Sequence, residues 1–318
     1  MAGMSKTPAT VSIRLMALSS AGVVAACGGG GSTVAVQNSM AIAGAPTSNL
    51  QAANATVTYP AASVSEIVSN STAGGLTTAA SGQGATLTLT NDASGNLSKI
   101  VFNIPTAGLT FTQTYTGQSS FLDRADLGNF AIALSQVGII PGCLVCNPDG
   151  YALTQAAGTQ QLTSSAYGVW ASGNSVTIDR GGAFAIGNLT PAASVPTSGT
   201  ATFNGSTMGM GGSAGGGLVT AFKGNAQMIA NFSSQSVTTN LTNLNTENEF
   251  EEAGVRSTIP DLTGTSTIAG NAYVGPIAGT GLTGTINGNF YGAGAKETAG
   301  VWQASGGGNS WMGSFGAK

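Results

Sequence analysis

Short runs in which Thr, Val, Ile, Leu and Phe occupy alternate positions recur along this chain, interrupted by Gly, Ser, Asn and Thr. This period constrains the fold more than any other feature. Thr86, Thr88 and Thr90 alternate with Leu87 and Leu89, which is the period of a half-buried strand. The cluster Asn91-Asp92-Ala93-Ser94-Gly95-Asn96 then separates this run from Leu97–Ile104, as in a hairpin. Disordered chains pair low hydrophobicity with high net charge. Here 42% of residues are hydrophobic, 7% are charged and 49 of 318 are glycine, the profile of an all-β protein with many turns.

The first residues follow a different rule. Residues 1–14 carry Lys6 and Arg14 and no acid, and an apolar stretch runs from Leu15 to Ala26 into Val24-Ala25-Ala26-Cys27. A positive start, a short apolar centre and small residues before the cut describe a secretory signal peptide. The Cys placed directly after them resembles the lipobox of bacterial lipoproteins. That resemblance implies cleavage before Cys27, a diacylglycerol on its sulfur, acylation of the new amine and firm anchoring by several acyl chains. Gly28–Gly31, Ser32 and Thr33 then form a flexible tether. Gly28 stands where an Asp would favour retention at the inner membrane, which points to the outer membrane.

Cys143 and Cys146 remain, in Pro-Gly-Cys-Leu-Val-Cys-Asn-Pro-Asp-Gly. Such a pair can be a redox couple, half a zinc site or a local disulfide. Zinc would need two further ligands, and the chain has no histidine and no other free cysteine. A thioredoxin-like role needs a βαβ context that the pattern lacks. A disulfide across a proline- and glycine-marked turn, in an oxidising compartment, is the expected reading.

Residues 34–54 continue the tether, and strand-like segments begin at residue 55. Residues 119–138 break the two-residue period. Phe121, Leu122, Leu127, Phe130, Ala131 and Leu134 fall near helical spacing, with Ser120 to cap and Gly138 to stop, which predicts one short amphipathic helix. Strands resume at Ala166–Ala171 and Ala183–Ile186. Pro191 and Pro196 then interrupt regular structure, and a domain boundary is expected near residue 198. From Gly199 to Lys318 about eight strands follow, enough to close a small barrel whose interior side chains fill.

Four stretches give residues 162–318 a resemblance to the β-barrel lobe of transferrin-binding protein B and related surface lipoproteins. They are Tyr167-Gly168-Val169-Trp170 with Ala183–Gly187, Gly199–Gly205, Gly224–Phe232, and Gly284-Thr285-Ile286-Asn287-Gly288-Asn289-Phe290-Tyr291-Gly292 followed by Ala295-Lys296-Glu297 and Gly300-Val301-Trp302. The closing Met312-Gly313-Ser314-Phe315-Gly316 fits as well. The resemblance implies a looser β-rich handle before a small closed barrel. With the helix read from spacing, the expected fold is all-β, a handle over residues 55–198 with one short helix and an eight-stranded antiparallel barrel over 199–318. It also implies a lipid-anchored outer-membrane protein, often outward-facing, that binds iron-carrying, haem-carrying or regulatory host proteins through variable loops. Transferrin-binding protein B has two handle–barrel lobes and this chain has room for one, a departure that weighs against transferrin itself.

Other functions are disfavoured. Without histidine a Ser-His-Asp triad, a Cys-His pair and a His-ligated metal are impossible. Removing residues 1–26 leaves seven basic and twelve acidic residues, a balance of −5 that does not suit nucleic acid. Glu247, Glu249, Glu251 and Glu252 form the one acidic cluster, read either as a solvated loop or as a contact for a basic partner or a cation. Lys296-Glu297 reads as structural, and Tyr291 and Trp302 as barrel packing rather than ligand stacking. No catalytic residue and no cofactor are expected. A membrane-spanning barrel stays open at this point, although 6% aromatic residues give little material for two aromatic girdles. The leading function is capture of a host or environmental protein, or an iron- or haem-related nutrient, with a TonB-dependent receptor as a candidate partner. The alternative is a structural or adhesive outer-membrane lipoprotein.

Overall fold

The computed structural model describes residues 56–70, 75–79, 86–93, 97–104, 109–114, 130–134, 150–154, 160, 162–174, 177–213, 220–246 and 258–318. These residues build two antiparallel sheets. The first holds β1 (Thr56–Asn70), β2 (Gly75–Ala79), β3 (Thr86–Asn91), β4 (Leu97–Ile104), β5 (Leu109–Thr114), β6 (Phe130–Leu134), β7 (Gly150–Thr154), β8 (Ser165–Asn174) and β9 (Thr177–Gly187). Its order is β5-β4-β3-β1-β9-β8-β7-β6, with β2 also paired to β1. The long β1 shifts register between Ala61 and Ser63, pairing β3 before the shift and β9 after it. The expected hairpin is β3–β4, and Thr58 on β1 shares a 2.9 Å hydroxyl contact with Thr88 across the sheet.

One expectation is overturned. Phe130–Leu134, placed in the helix predicted over 119–138, is strand β6 and pairs with β7 from Phe130↔Thr154 to Leu134↔Gly150. Phe130, Ile132 and Leu134 alternate with Ala131 and Ala133, so the same residues also fit the two-residue period of a strand. Cross-strand pairing with Gly150–Thr154 decides between the two. The rest of that predicted helix lies outside the described residues.

The second sheet holds β10 (Thr200–Ser213), β11 (Thr220–Asn231), β12 (Ser236–Thr246), the two-residue β13 (Thr258–Ile259), β14 (Leu262–Ala269), β15 (Ala272–Gly279), β16 (Leu282–Tyr291), β17 (Glu297–Gly306) and β18 (Asn309–Ala317). The eight longer strands run up and down in chain order. β18 returns to pair with β10 from Gly205↔Ala317 to Ser213↔Asn309, so the sheet closes as a barrel. Closure removes the exposed edges that would otherwise recruit other strands.

The barrel is filled. Phe203, Phe232, Tyr273 and Phe290 gather near one end, with Phe290 ring centroids 6.1, 5.6 and 5.4 Å from the other three. Phe222, Trp302 and Trp311 gather toward the other, at 5.4 and 5.9 Å from Phe222. Such tilted and edge-on contacts suit the quadrupoles of the rings. Glycines opposite the rings make room for them. In the ladder Gly209 faces Phe222, Gly288 faces Tyr273, Gly313 faces Trp302 and Gly300 faces Phe315. A Cβ at Gly313 would sit 2.9 Å from the Trp302 ring, and one at Gly300 2.8 Å from that of Phe315. The glycine content therefore serves close packing as well as turns.

Candidate binding surface

The residues that face outward decide what this barrel can contact. On the open arc they are Thr202 and Asn204 of β10, Asn225, Gln227 and Ile229 of β11, and Thr238 and Asn240 of β12. Thr263, Thr265 and Thr267 of β14 follow, then Val274, Pro276 and Ala278 of β15, which interrupt the polar run, and Thr283 and Thr285 of β16. An in-register ladder ties four of these positions together. Thr263 Oγ1 donates to Asn240 Oδ1 at 3.0 Å, Asn240 Nδ2 to Gln227 Oε1 at 3.3 Å, and Gln227 Nε2 to Asn204 Oδ1 at 3.0 Å. A membrane-spanning barrel presents an apolar band outward and polar groups inward. This barrel does the reverse, so its wall suits water rather than lipid. Among the described residues, no helix is long and apolar enough to cross a membrane.

The remaining arc is covered by the first sheet. Outward residues of β17 and β18 there are Ala299, Val301, Met312, Ser314 and Gly316, all buried. Tyr167 of β8 packs over Gly316, with Leu162, Ala185, Tyr291 and Ala299 in one apolar cluster. Tyr167 and Ser206 share a 2.6 Å hydroxyl contact, while burial pushes the Tyr167 phenol up to about 12. Tyr273 and Tyr291 are pushed up as well, by burial first.

One carboxylate fastens this seam. Glu297 is 2% exposed and accepts hydrogen bonds from Thr163 N at 2.6 Å, Thr163 Oγ1 at 2.9 Å, Ser164 N at 3.0 Å and Ser165 Oγ at 2.9 Å. A buried charge is tolerated when donors replace its water, and here they come from the lead-in to β8. Glu297 thus has the structural role expected of Lys296-Glu297, while Lys296 itself is exposed. Tyr291 and Trp302 are fully buried packing residues, also as expected. Trp302 Nε1 donates to Thr207 Oγ1 at 2.9 Å, and Thr207 Oγ1 donates to Ser314 O at 2.7 Å.

The two barrel ends differ. At the linker end, Thr190 N donates to Phe290 O at 2.9 Å and Asn271 Nδ2 to Thr190 O at 2.8 Å, and Val195 enters the barrel core. At the far end, the tight turns at Thr280-Gly281 and Gly307-Gly308 close their hairpins, with positive φ at Gly281, Gly307 and Gly308. The connections β10–β11 and β12–β13 also leave from this end. Cys27, Cys143, Cys146 and the cluster Glu247, Glu249, Glu251 and Glu252 lie outside the described residues. Among the described residues no group of His, Cys, Asp and Glu could hold a metal ion. Chemically this is a surface mainly of hydroxyls and amides around a core filled by aromatic side chains.

The class is therefore a filled up-and-down barrel with an open β-sheet seated on one side. Residues 195–318 match the family described as C-lobe and N-lobe beta barrels of Tf-binding protein B. Solved structures to which this chain is similar include transferrin-binding protein B from Haemophilus parasuis (14% identity, 75% of this chain and 54% of that one, TM-score 0.40). They include the haemoglobin receptor HpuA from Kingella denitrificans (15%, 83% and 86%, 0.40) and transferrin-binding protein B from Neisseria meningitidis (15%, 75% and 52%, 0.39). The chain spans about half the length of the two transferrin-binding proteins. No curated protein matches it.

Proposed function

We propose that this chain is a lipid-anchored outer-membrane lipoprotein that captures a protein partner, carrying iron or haem, through loops on its outside. In this reading residues 1–26 are a signal peptide, Cys27 bears the lipid and residues 27–54 are the tether. Residues 55–198 are a handle and 199–318 the barrel, as separate domains. Cys143 and Cys146 form a local disulfide, and Glu247, Glu249, Glu251 and Glu252 offer a contact to a basic partner. The chain is not an enzyme.

The observation that carries the reading is the family match of a barrel whose interior is packed with Phe222, Phe290, Trp302 and Phe315. A barrel whose interior is occupied by packed rings suits recognition from outside, and loops on a rigid scaffold are where recognition resides. Similar folds carry the names of a haemoglobin receptor and of transferrin-binding proteins, so haemoglobin and transferrin are the first partners to try.

The test immobilises the purified mature chain and titrates haemoglobin, haem-loaded and haem-free, and transferrin, iron-loaded and iron-free. Saturable binding of one of them is the expected result. No binding to either, together with adhesion of expressing cells to host surfaces, would favour the structural or adhesive alternative.

A further inference from the structure

Two stretches flank the β8–β9 hairpin, residues 162–164 before it and 188–199 after it. Both are fastened to the same part of the barrel, the end of β16 and the turn into β17. Before the hairpin, Thr163 N, Thr163 Oγ1 and Ser164 N donate to the buried Glu297, joined by Ser165 Oγ at the start of β8. After it, Gly292 N donates to Asn188 O at 2.9 Å, Thr190 N to Phe290 O at 2.9 Å and Thr190 Oγ1 to Gly292 O at 2.7 Å. Leu189 makes a bridge with Tyr291. Asn188 N donates to Ser164 O at 2.8 Å, which ties the two stretches to each other.

The turn that receives them is itself fixed. Ala295 holds a φ of 57°, in a region that favours glycine, and is buried in the barrel core. Val195 joins the same core from the second stretch. The hairpin between the stretches lies on the barrel wall. Tyr167 and Ala185 are 1% and 0% exposed and share a cluster with Leu162, Tyr291 and Ala299. A Cβ at Gly181 would sit 2.6 Å from Met210 Sδ and 3.4 Å from Met312 Cε, so the β9 backbone touches side chains of β10 and β18. Units joined by a free connector move relative to each other unless an apolar interface holds them. Here the connector is hydrogen-bonded into the barrel and the interface is apolar.

We propose that the β8–β9 hairpin opens only with the barrel, as one cooperative unit locked by Glu297, so that in stability the barrel begins at Leu162 and not near residue 198. The hairpin belongs to the first sheet by its ladder and to the barrel by what holds it closed. A partner then meets hairpin and barrel wall as one fixed surface. The proposal holds whichever partner the protein binds.

Native-state amide exchange of the full mature chain, followed through low concentrations of denaturant, tests it. Amides of one cooperative unit open with a common free energy and a common denaturant slope. The slowest amides of Ala166–Ala171 and Ala183–Ile186 should join those of β16, β17 and β18 on both counts. Phe222→Leu, inside the barrel, should speed exchange in the hairpin and the barrel by the same factor, about 10-fold or more. Glu297→Gln should separate them, with hairpin amides about 30-fold or more faster and barrel amides little changed. Hairpin amides that open more readily than the barrel in the unaltered chain, with a smaller slope, would overturn the proposal. So would a Phe222→Leu effect confined to the barrel, or no separation in Glu297→Gln.

Discussion

The two sheets use the same antiparallel pairing, yet one closes and the other stays open. In the barrel, β18 finds β10, and rings laid over Gly209, Gly288, Gly300 and Gly313 fill the interior. In the first sheet β5 and β6 end the order, and β8 and β9 lie against β17 and β18, with Tyr167 and Ala185 packed on Ala299. The barrel therefore carries its own core, while the first sheet borrows one. Closure in this chain follows from alternating large rings with glycines, and docking follows from a small-residue arc held by one carboxylate.

The largest test of that contrast is Trp302→Ala. It should cost about 3–5 kcal/mol in chemical denaturation, since it empties the centre of a core that cannot collapse around the loss. Glu297→Gln should cost about 2–3 kcal/mol, because an amide cannot accept from all the Thr163, Ser164 and Ser165 donors. Its signature is selective: limited proteolysis between residues 190 and 199 should accelerate while the barrel stays resistant. If both units lost stability equally, Glu297 would be part of the core rather than a fastening between sheets. Gly300→Ala should cost about 1–3 kcal/mol by pressing on the β16 backbone at Asn287 and Gly288 and on the Phe315 ring, read from the denaturation midpoint.

The smallest effects come from a pair of tyrosines. Tyr273 shares a 2.7 Å contact with Thr298 Oγ1, whereas Tyr291 OH is buried without a partner. Tyr273→Phe should lose about 1 kcal/mol, and Tyr291→Phe should gain a similar amount or be neutral. Both phenols, with Tyr167, are raised by burial. Their contribution to stability is complete below the ordinary tyrosine range near pH 10 and is lost as pH climbs through the folded values. The fold should unfold in alkali, and Tyr291→Phe should move that transition to higher pH.

Much of the barrel was legible in the sequence. Several of its turns carry glycine, and its strands alternate apolar with small polar residues, which is why about eight strands are legible over residues 199–318. The first sheet was less legible. Leu109–Thr114 alternates as a strand and was missed, and Phe130–Leu134 fits two periods at once. The seam was illegible for a different reason. The donors to Glu297 lie 132 to 134 residues away, and no local pattern announces a carboxylate that meets backbone N–H groups across the fold.

The central claim is a filled barrel with a water-facing wall and the first sheet over one arc, which the proposed function places at the cell surface. Single cysteines at Thr285 and Ala299, in a Cys143→Ser, Cys146→Ser background, test it when intact cells meet a membrane-impermeant maleimide. The expected result is rapid labelling of Thr285→Cys on intact cells and labelling of Ala299→Cys only after denaturation. Labelling of Thr285→Cys only after cell lysis, or of Ala299→Cys as fast as Thr285→Cys, would contradict the account.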